Sequence, residues 1–208
     1  MPAIRAVVFD FGGVLIDWNP EYLYRQLIPD AAGRRRFLTE VCGMDWVVRQ
    51  DAGQTIADGT AEKIAAFPQH AALIRAFYAR WPEMVAGQFD DGVALVERLD
   101  AAGVPLFGLT NWSVETFPYA WERYAVLRRF RDIVVSGRVK LAKPDPAIYR
   151  EMFARIAAQL PDIAPGELVF IDDNPRNAEA ATALGWHGIH HTGVAATEAR
   201  LRELGLPA

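Results

Sequence analysis

The residues of this chain best suited to chemistry stand where apolar runs end. "IRAVVF" (4–9) stops on Asp10, and Gly12 and Gly13 follow at once. "VPLFGL" (104–109) runs into Thr110, Asn111 and Trp112. "DIVVS" (132–136) leads into "GRVKLAKPDP", where Lys143 precedes a proline, and "ELVFI" (167–171) stops on Asp172 and Asp173. Together these are three carboxylates, one hydroxyl and one ammonium. Carboxylates gathered at one place repel unless a cation bridges them. Oxygen ligands without cysteine or histidine suit Mg²⁺, which keeps several waters as well. An aspartate at a strand tip can attack phosphorus and form an aspartyl-phosphate. A bound cation offsets the charge that develops, and the lysine and hydroxyl hold an anion.

That chemistry needs an architecture that brings distant residues to one edge. The runs are continuous rather than alternating, which predicts strands buried on both faces of a parallel sheet. "HGIHH" (187–191) is the weakest of five. Helical patterns lie between them. "DDGVALVERLDAAG" ends at Gly103, "DPAIYREMFARIAAQL" carries Pro146 in its first turn, and "NPRNAEAATALG" starts on the capping residue Asn174. The alternation predicts an α/β, Rossmann-like parallel sheet with helices on both faces. Ligands bind beyond the carboxyl ends of such strands, where the polar groups stand. From Trp18 to Gln88 the patterns are helical only: "PEYLYRQLI", "AGRRRFLTEVCG", "TAEKIAAF" and "HAALIRAFYARW". This predicts a core of 1–17 and 89–208 and an inserted α-helical cap of 18–88. Proline-interrupted "FPQHAAL" and "RWPEMVAG" mark its breaks.

The totals set outer limits. The chain has 208 residues, 51% hydrophobic, with a formal net charge of -4. Mild acidity argues against nucleic acid as a partner, and Arg34-Arg35-Arg36 reads as a solvated helix face. The single cysteine, Cys42, rules out a disulfide within the chain and fits a reducing, cytoplasmic setting. The N-terminus does not read as a secretory signal, and no segment reaches the roughly 18–20 apolar residues of a membrane span. Oligomeric state has no signature here.

"FDFGGVLID", "GLTNWS", "KLAKPDPAIY" and "VFIDDNPRNAEAA" resemble, in order, the four motifs of the haloacid dehalogenase-like (HAD) hydrolase superfamily. The resemblance covers the whole chain and is that of subfamily I, whose helical cap follows the first motif. It implies Asp10 as nucleophile, Thr110 as phosphate binder and Lys143 as the charge steadying both. It implies a Mg²⁺ site of Asp10, the Gly12 carbonyl, Asp172 and Asp173, with Asp173 favoured as the direct ligand of the pair. Asn111, Trp18 and Trp112 are further candidates for contact with a small phosphorylated substrate.

One position departs from the family. Most of its phosphatases carry a second aspartate two residues after the nucleophile, as general acid; here it is Gly12. Such a group contributes about 10²–10⁴-fold. Three readings follow. A Mg²⁺-dependent phosphatase could use a good leaving group, such as a sugar 1-phosphate, or another proton donor, and the resemblance to some family members with this glycine implies phosphorylated sugars. A metal-independent 2-haloacid dehalogenase needs no acid, but the acidic pair argues against it. A non-catalytic module would only bind a phosphorylated metabolite.

Plainer readings stand beside these. The glycines serve a tight turn. Thr110 and Asn111 alone would be a helix cap, and the aromatics Trp18, Trp46, Trp81 and Trp112 would be packing. His187, His190 and His191 are expected to lie away from the acidic cluster, His70 at a helix start, and Cys42 buried in the cap.

Overall fold

The computed structural model describes residues 3–208. Five strands form the central sheet: β1 (Ala6–Phe9), β4 (Leu106–Thr110), β5 (Asp132–Val135), β6 (Leu168–Asp172) and β7 (His187–His190). Their order is β5-β4-β1-β6-β7, and every pairing is parallel. The chain winds outward from β1 to β5 on one side and then crosses to β6 and β7 on the other. The reversal falls at β1, which places Asp10 where ligands of open α/β sheets bind.

The continuous apolar runs have a direct cause. Val7 and Phe9 face one layer, with Leu95 and Leu99 of α6 (Asp90–Ala101) and Leu201 of α11 (Val194–Glu203). Ala6 and Val8 face the other, with Ile148 and Met152 of α9 (Pro146–Gln159) and Ala181 of α10 (Pro175–Ala183). A strand covered on both faces has no position for a polar side chain until it ends. The helix caps fall where sequence placed them: Asn174 accepts from the Arg176 N–H, and Gly103 takes the left-handed φ of +77°. Two short core helices, α7 (Phe117–Arg123) and α8 (Ser136–Val139), were not visible in the sequence pattern.

Five helices precede α6: α1 (Glu21–Leu27), α2 (Ala31–Arg36), α3 (Met44–Asp51), α4 (Ile56–Ala66) and α5 (Ala71–Ala79). Aromatic packing holds them together. Trp46 meets Phe77 at 5.1 Å between ring centroids, and Tyr24 meets Phe37 at 5.0 Å. Arg34 pairs with Glu21 at 2.7 Å, while Arg35 and Arg36 lie exposed on α2.

The expectation of helices alone between Trp18 and Gln88 needs correction. β3 (Val85–Gln88) pairs antiparallel with β2 (Ile16–Trp18). The ribbon leads the chain into the helical insertion and back. "VAGQ" carries little strand propensity, and it becomes a strand only through a partner far away in sequence.

Candidate active site

The turn after β1 is tight. The Phe11 carbonyl accepts from the N–H groups of Leu15 and Ile16, both at 2.8 Å. Gly13 has φ +68°, and a Cβ there would stand 2.3 Å from Asp173 Oδ2. Glycine is therefore required twice over, by the left-handed backbone and by the close approach of a carboxylate. Gly12 is different, for a Cβ built on it meets nothing within 4 Å. Phe11 points the other way and packs over Gly108, where a Cβ would come within 2.4 Å of Phe11 Cζ.

The structure brings Asp10, Lys143, Asp172 and Asp173 together. Lys143 Nζ donates to Asp172 Oδ2 at 2.6 Å and lies 3.0 Å from Asp10 Oδ2. The lysine side chain is fully buried, with its ammonium 5.3 Å from the Phe170 ring centroid. Burial alone would lower the lysine pKa, but the two carboxylates outweigh it and hold the pKa above its ordinary value. Burial pushes the Asp10 pKa up to about 7 against the opposing pull of Lys143, with Asp172 and Asp173 adding to the rise. Asp10 Oδ1 also accepts from the Phe11 N–H at 2.7 Å.

The acidic pair divides into two environments. Asp172 is fully buried and saturated: Lys143, the Asn174 N–H and the Asn177 amide all donate to it, the last to both oxygens at 3.0 and 3.1 Å. Asp173 is exposed, and its carboxylate has no side-chain partner among the described residues. Burial of the carboxylate and the neighbouring Asp172 raise its pKa. Asp10, Asp172 and Asp173 each offer an oxygen, all within 4.8 Å of one another. Three carboxylates against one ammonium leave negative charge that nothing else in the cluster balances. This donor set, hard oxygens with one carboxylate free, fits a magnesium-like ion.

The other predicted residues fall out variously. Asn111 donates to the Lys143 carbonyl at 2.9 Å and accepts from the Lys143 N–H at 2.8 Å. Its amide therefore fixes the lysine loop on β4, rather than standing free for a ligand. Thr110 is the buried last residue of β4 and does not line the cavity, whose wall is made instead by Asn111 and Trp112. Trp112 and Trp18 both line it; the Trp112 indole donates to Thr116 Oγ1 at 3.0 Å. Trp46 lies away from it, buried and donating to the Gly59 carbonyl. Cys42 is buried, which pushes its thiol up to about 12. His70 precedes α5 as expected. His187 lies away from the cluster as expected, at 3.1 Å from the Gly166 carbonyl, but the other two need correction: β7 lies beside β6, His190 Nε2 stands 3.1 Å from the Asp173 carbonyl and the His191 N–H donates to the Asp172 carbonyl at 2.8 Å. The acidic edge is thus within one strand of both.

Three residues escaped the sequence reading. Asn177 had a signal, since it sits one turn into α10 and so faces back to the strand end. Ser136 accepts from the Trp112 N–H and donates to the Asp51 carbonyl at 2.5 Å, tying the end of α3 to the core. Asp51 had no signal at all. It is, with Asp10 and Asp173, one of three carboxylic acids lining the cavity of about 510 Å³ above β1. Burial pushes its pKa up to about 7, opposed by the Ser113 N–H and the charge of Lys143.

No helix among the described residues is long and apolar enough to cross a membrane. Known proteins resemble the chain along its length. It is 26% identical to the sesquiterpene phosphatase astK of Aspergillus oryzae over 96% of both chains. A HAD-like family hydrolase from Porphyromonas gingivalis superposes with a TM-score of 0.69 at 21% identity, covering 97% of this chain and 99% of that one. A HAD family enzyme from Bacteroides thetaiotaomicron, solved with magnesium and inorganic phosphate, gives 0.63 at 22% identity, covering 88% and 92%. The sequence model of haloacid dehalogenase-like hydrolases matches residues 4–185. With the parallel sheet and the carboxylate cluster at its edge, this match makes the chain a member of the haloacid dehalogenase-like hydrolase family.

Proposed function

We propose that the protein is a Mg²⁺-dependent phosphatase of a small phosphorylated metabolite, and that it works through an aspartyl-phosphate on Asp10. The observation that carries this reading is the free carboxylate of Asp173 beside Asp10 and the Lys143–Asp172 pair. An arrangement of acids this dense is costly without a cation, which weighs against metal-independent dehalogenation. The likeness to a sesquiterpene phosphatase supports the same class of reaction. Asp10, Asp173 and the Gly12 carbonyl would hold the ion, with Asp172 behind them. When bound, it supplies positive charge to the phosphoryl oxygens.

The chain's own residues do the rest. Lys143, held by Asn111 and Asp172, favours the ionised form of Asp10 against the effect of burial and attracts the phosphoryl group. An Asp10 oxygen forms the new bond to phosphorus as the ester oxygen leaves. The leaving oxygen needs a proton, and Gly12 has none to give. We assign that proton to Asp51, the cavity acid outside the cluster, whose pKa burial raises to about 7, so that about half of it carries a proton at neutral pH. In the second half, Asp51 takes a proton from water, whose oxygen attacks phosphorus and frees Asp10 and inorganic phosphate. Residues 18–88 act as a cap that excludes bulk water during the first step, in a protein of the cytoplasm.

The test is a rapid quench of enzyme with substrate, followed by peptide mass analysis. A phosphoryl group on the peptide bearing Asp10, absent in Asp10→Asn along with turnover, is expected. Appreciable turnover by Asp10→Asn would remove the assignment.

A further inference from the structure

We propose that the cavity above Asp10 is a binding site for a hydrocarbon group, so that the substrate is the phosphomonoester of an apolar alcohol. This rests on the phosphatase reading and deepens it. Polar and apolar walls are sharply segregated. Asp10, Lys143, Asn111 and Asp173 crowd at the sheet edge. Beyond them the lining is mainly apolar, with Asp51, Thr116 and Tyr78 as its polar members. α3 contributes Met44, Val47 and Val48, and α5 contributes Phe77. Trp18, Trp81 and Trp112 close the side toward the core, with Trp81 and Trp112 5.7 Å apart between ring centroids.

The geometry of α3 shows how this wall is built. Met44, Val47, Val48 and Asp51 follow the i, i+3, i+4, i+7 spacing of one helix face. That face ends in Asp51, whose backbone carbonyl is tied to the β4 loop through Ser136. Two of its three apolar side chains, Met44 and Val48, are left uncovered, while Val47 is buried. Met44 is 55% exposed and Val48 39%, two of four large hydrophobics exposed to this degree among the described residues. An uncovered apolar face continuous with a catalytic edge marks a ligand surface.

A sugar would find little to bond in these walls. The Tyr78 hydroxyl already donates to Gln50 Oε1 at 3.1 Å, and the Trp112 indole to Thr116 Oγ1. Lys143 is committed to Asp10 and Asp172. Arg176 is the other cation of the lining, and it lies exposed beside the phosphate end on α10. Hydroxyls buried against Met44, Val47, Val48 and Phe77 would lose water without finding partners there. A hydrocarbon chain loses nothing and gains by burial.

The experiment uses two readouts on the full chain. One is kcat/KM with Mg²⁺ for n-alkyl phosphates from ethyl to decyl, set against a hexose 6-phosphate. The other is calorimetric binding of the matching n-alkylphosphonates, which cannot be hydrolysed at the P–C bond. Each methylene should raise both by about fourfold until the cavity is filled, equivalent to about 0.8 kcal/mol each, and the hexose phosphate should be the poorer substrate. Val48→Asp, at a partly exposed position, should flatten both series. A flat series in wild-type protein, or preference for the hexose phosphate, overturns the inference. A rising phosphonate series with no phosphate released from any ester would sustain the hydrocarbon site and overturn the phosphatase reading instead. An unchanged slope in Val48→Asp overturns the placement on α3.

Discussion

Replacing Asp51 by Asn removes one proton and leaves the shape of the side chain. If Asp51 protonates the leaving oxygen, the cost depends on how much that oxygen needs a proton. An alkoxide needs it; p-nitrophenolate does not. An ordinary aspartate, with pKa about 3.9, is protonated in about one molecule in a thousand at pH 7. Asp51, pushed to about 7, is protonated in about half. Burial thus raises the supply of acid by several hundredfold, within the range of about 10²–10⁴-fold for general acid catalysis. Asp51→Asn should lower kcat on alkyl phosphates by about that factor and kcat on p-nitrophenyl phosphate by less than about tenfold. Wild-type turnover of alkyl phosphates should decline as pH rises through about 7, and the variant should lose that limb. The groups facing Asp51 are the Ser113 N–H, Lys143 and Tyr78. The assay is phosphate release across pH on both substrates. A second substitution strengthens the test. A Cβ at Gly12 meets nothing within 4 Å, so Gly12→Asp is sterically open. Adding it to Asp51→Asn should return part of the alkyl phosphate activity. Equal losses on both substrates, or none, would refute the assignment.

Other outcomes follow from the same geometry. Asp173→Ala removes the one free carboxylate of the cluster; titration with Mg²⁺ should show half-maximal activity displaced to much higher concentration, and an unchanged curve would displace the metal site. Lys143→Ala leaves Asp10 and Asp172 buried without their cation, which should cost about 3–5 kcal/mol in a urea melt along with all turnover. Asp51 also predicts a stability difference with a definite sign. Its folded pKa of about 7 lies above the unfolded value, so its contribution is full below about pH 4 and is lost as pH rises through 7. The Tm advantage of Asp51→Asn over wild type should therefore be larger at pH 8 than at pH 5, by about 2–4 °C for each 1 kcal/mol relieved.

The sheet and its polar edge were legible in the sequence because one physical rule governs both. A strand buried on two faces is apolar until it surfaces, so Asp10 and Asp172 announce the end of β1 and β6. What the sequence concealed came from long-range partnership. "MDWVVRQD" is short and stands outside the four helical patterns legible in the insertion, and Gly43 offers no side chain to cap a helix. Packing of Trp46 under Phe77 decides for α3, and with it Asp51 comes over the sheet edge. Asn111 was legible as a site residue, but its bonds to Lys143 cross 32 positions and only the fold reveals them. Gly12 and Gly13 look alike in sequence. One stands against a carboxylate with a left-handed backbone, while the other faces open space.

The most direct test of the central claim is a paired turnover measurement with and without Mg²⁺. One arm follows phosphate release from alkyl and p-nitrophenyl phosphates, and the other follows halide release from L-2-chloropropionate. Phosphate release that requires Mg²⁺ and disappears in Asp10→Asn is the predicted result. Halide release that is indifferent to metal, with no phosphate released, would contradict the account and leave the carboxylate of Asp173 without a purpose.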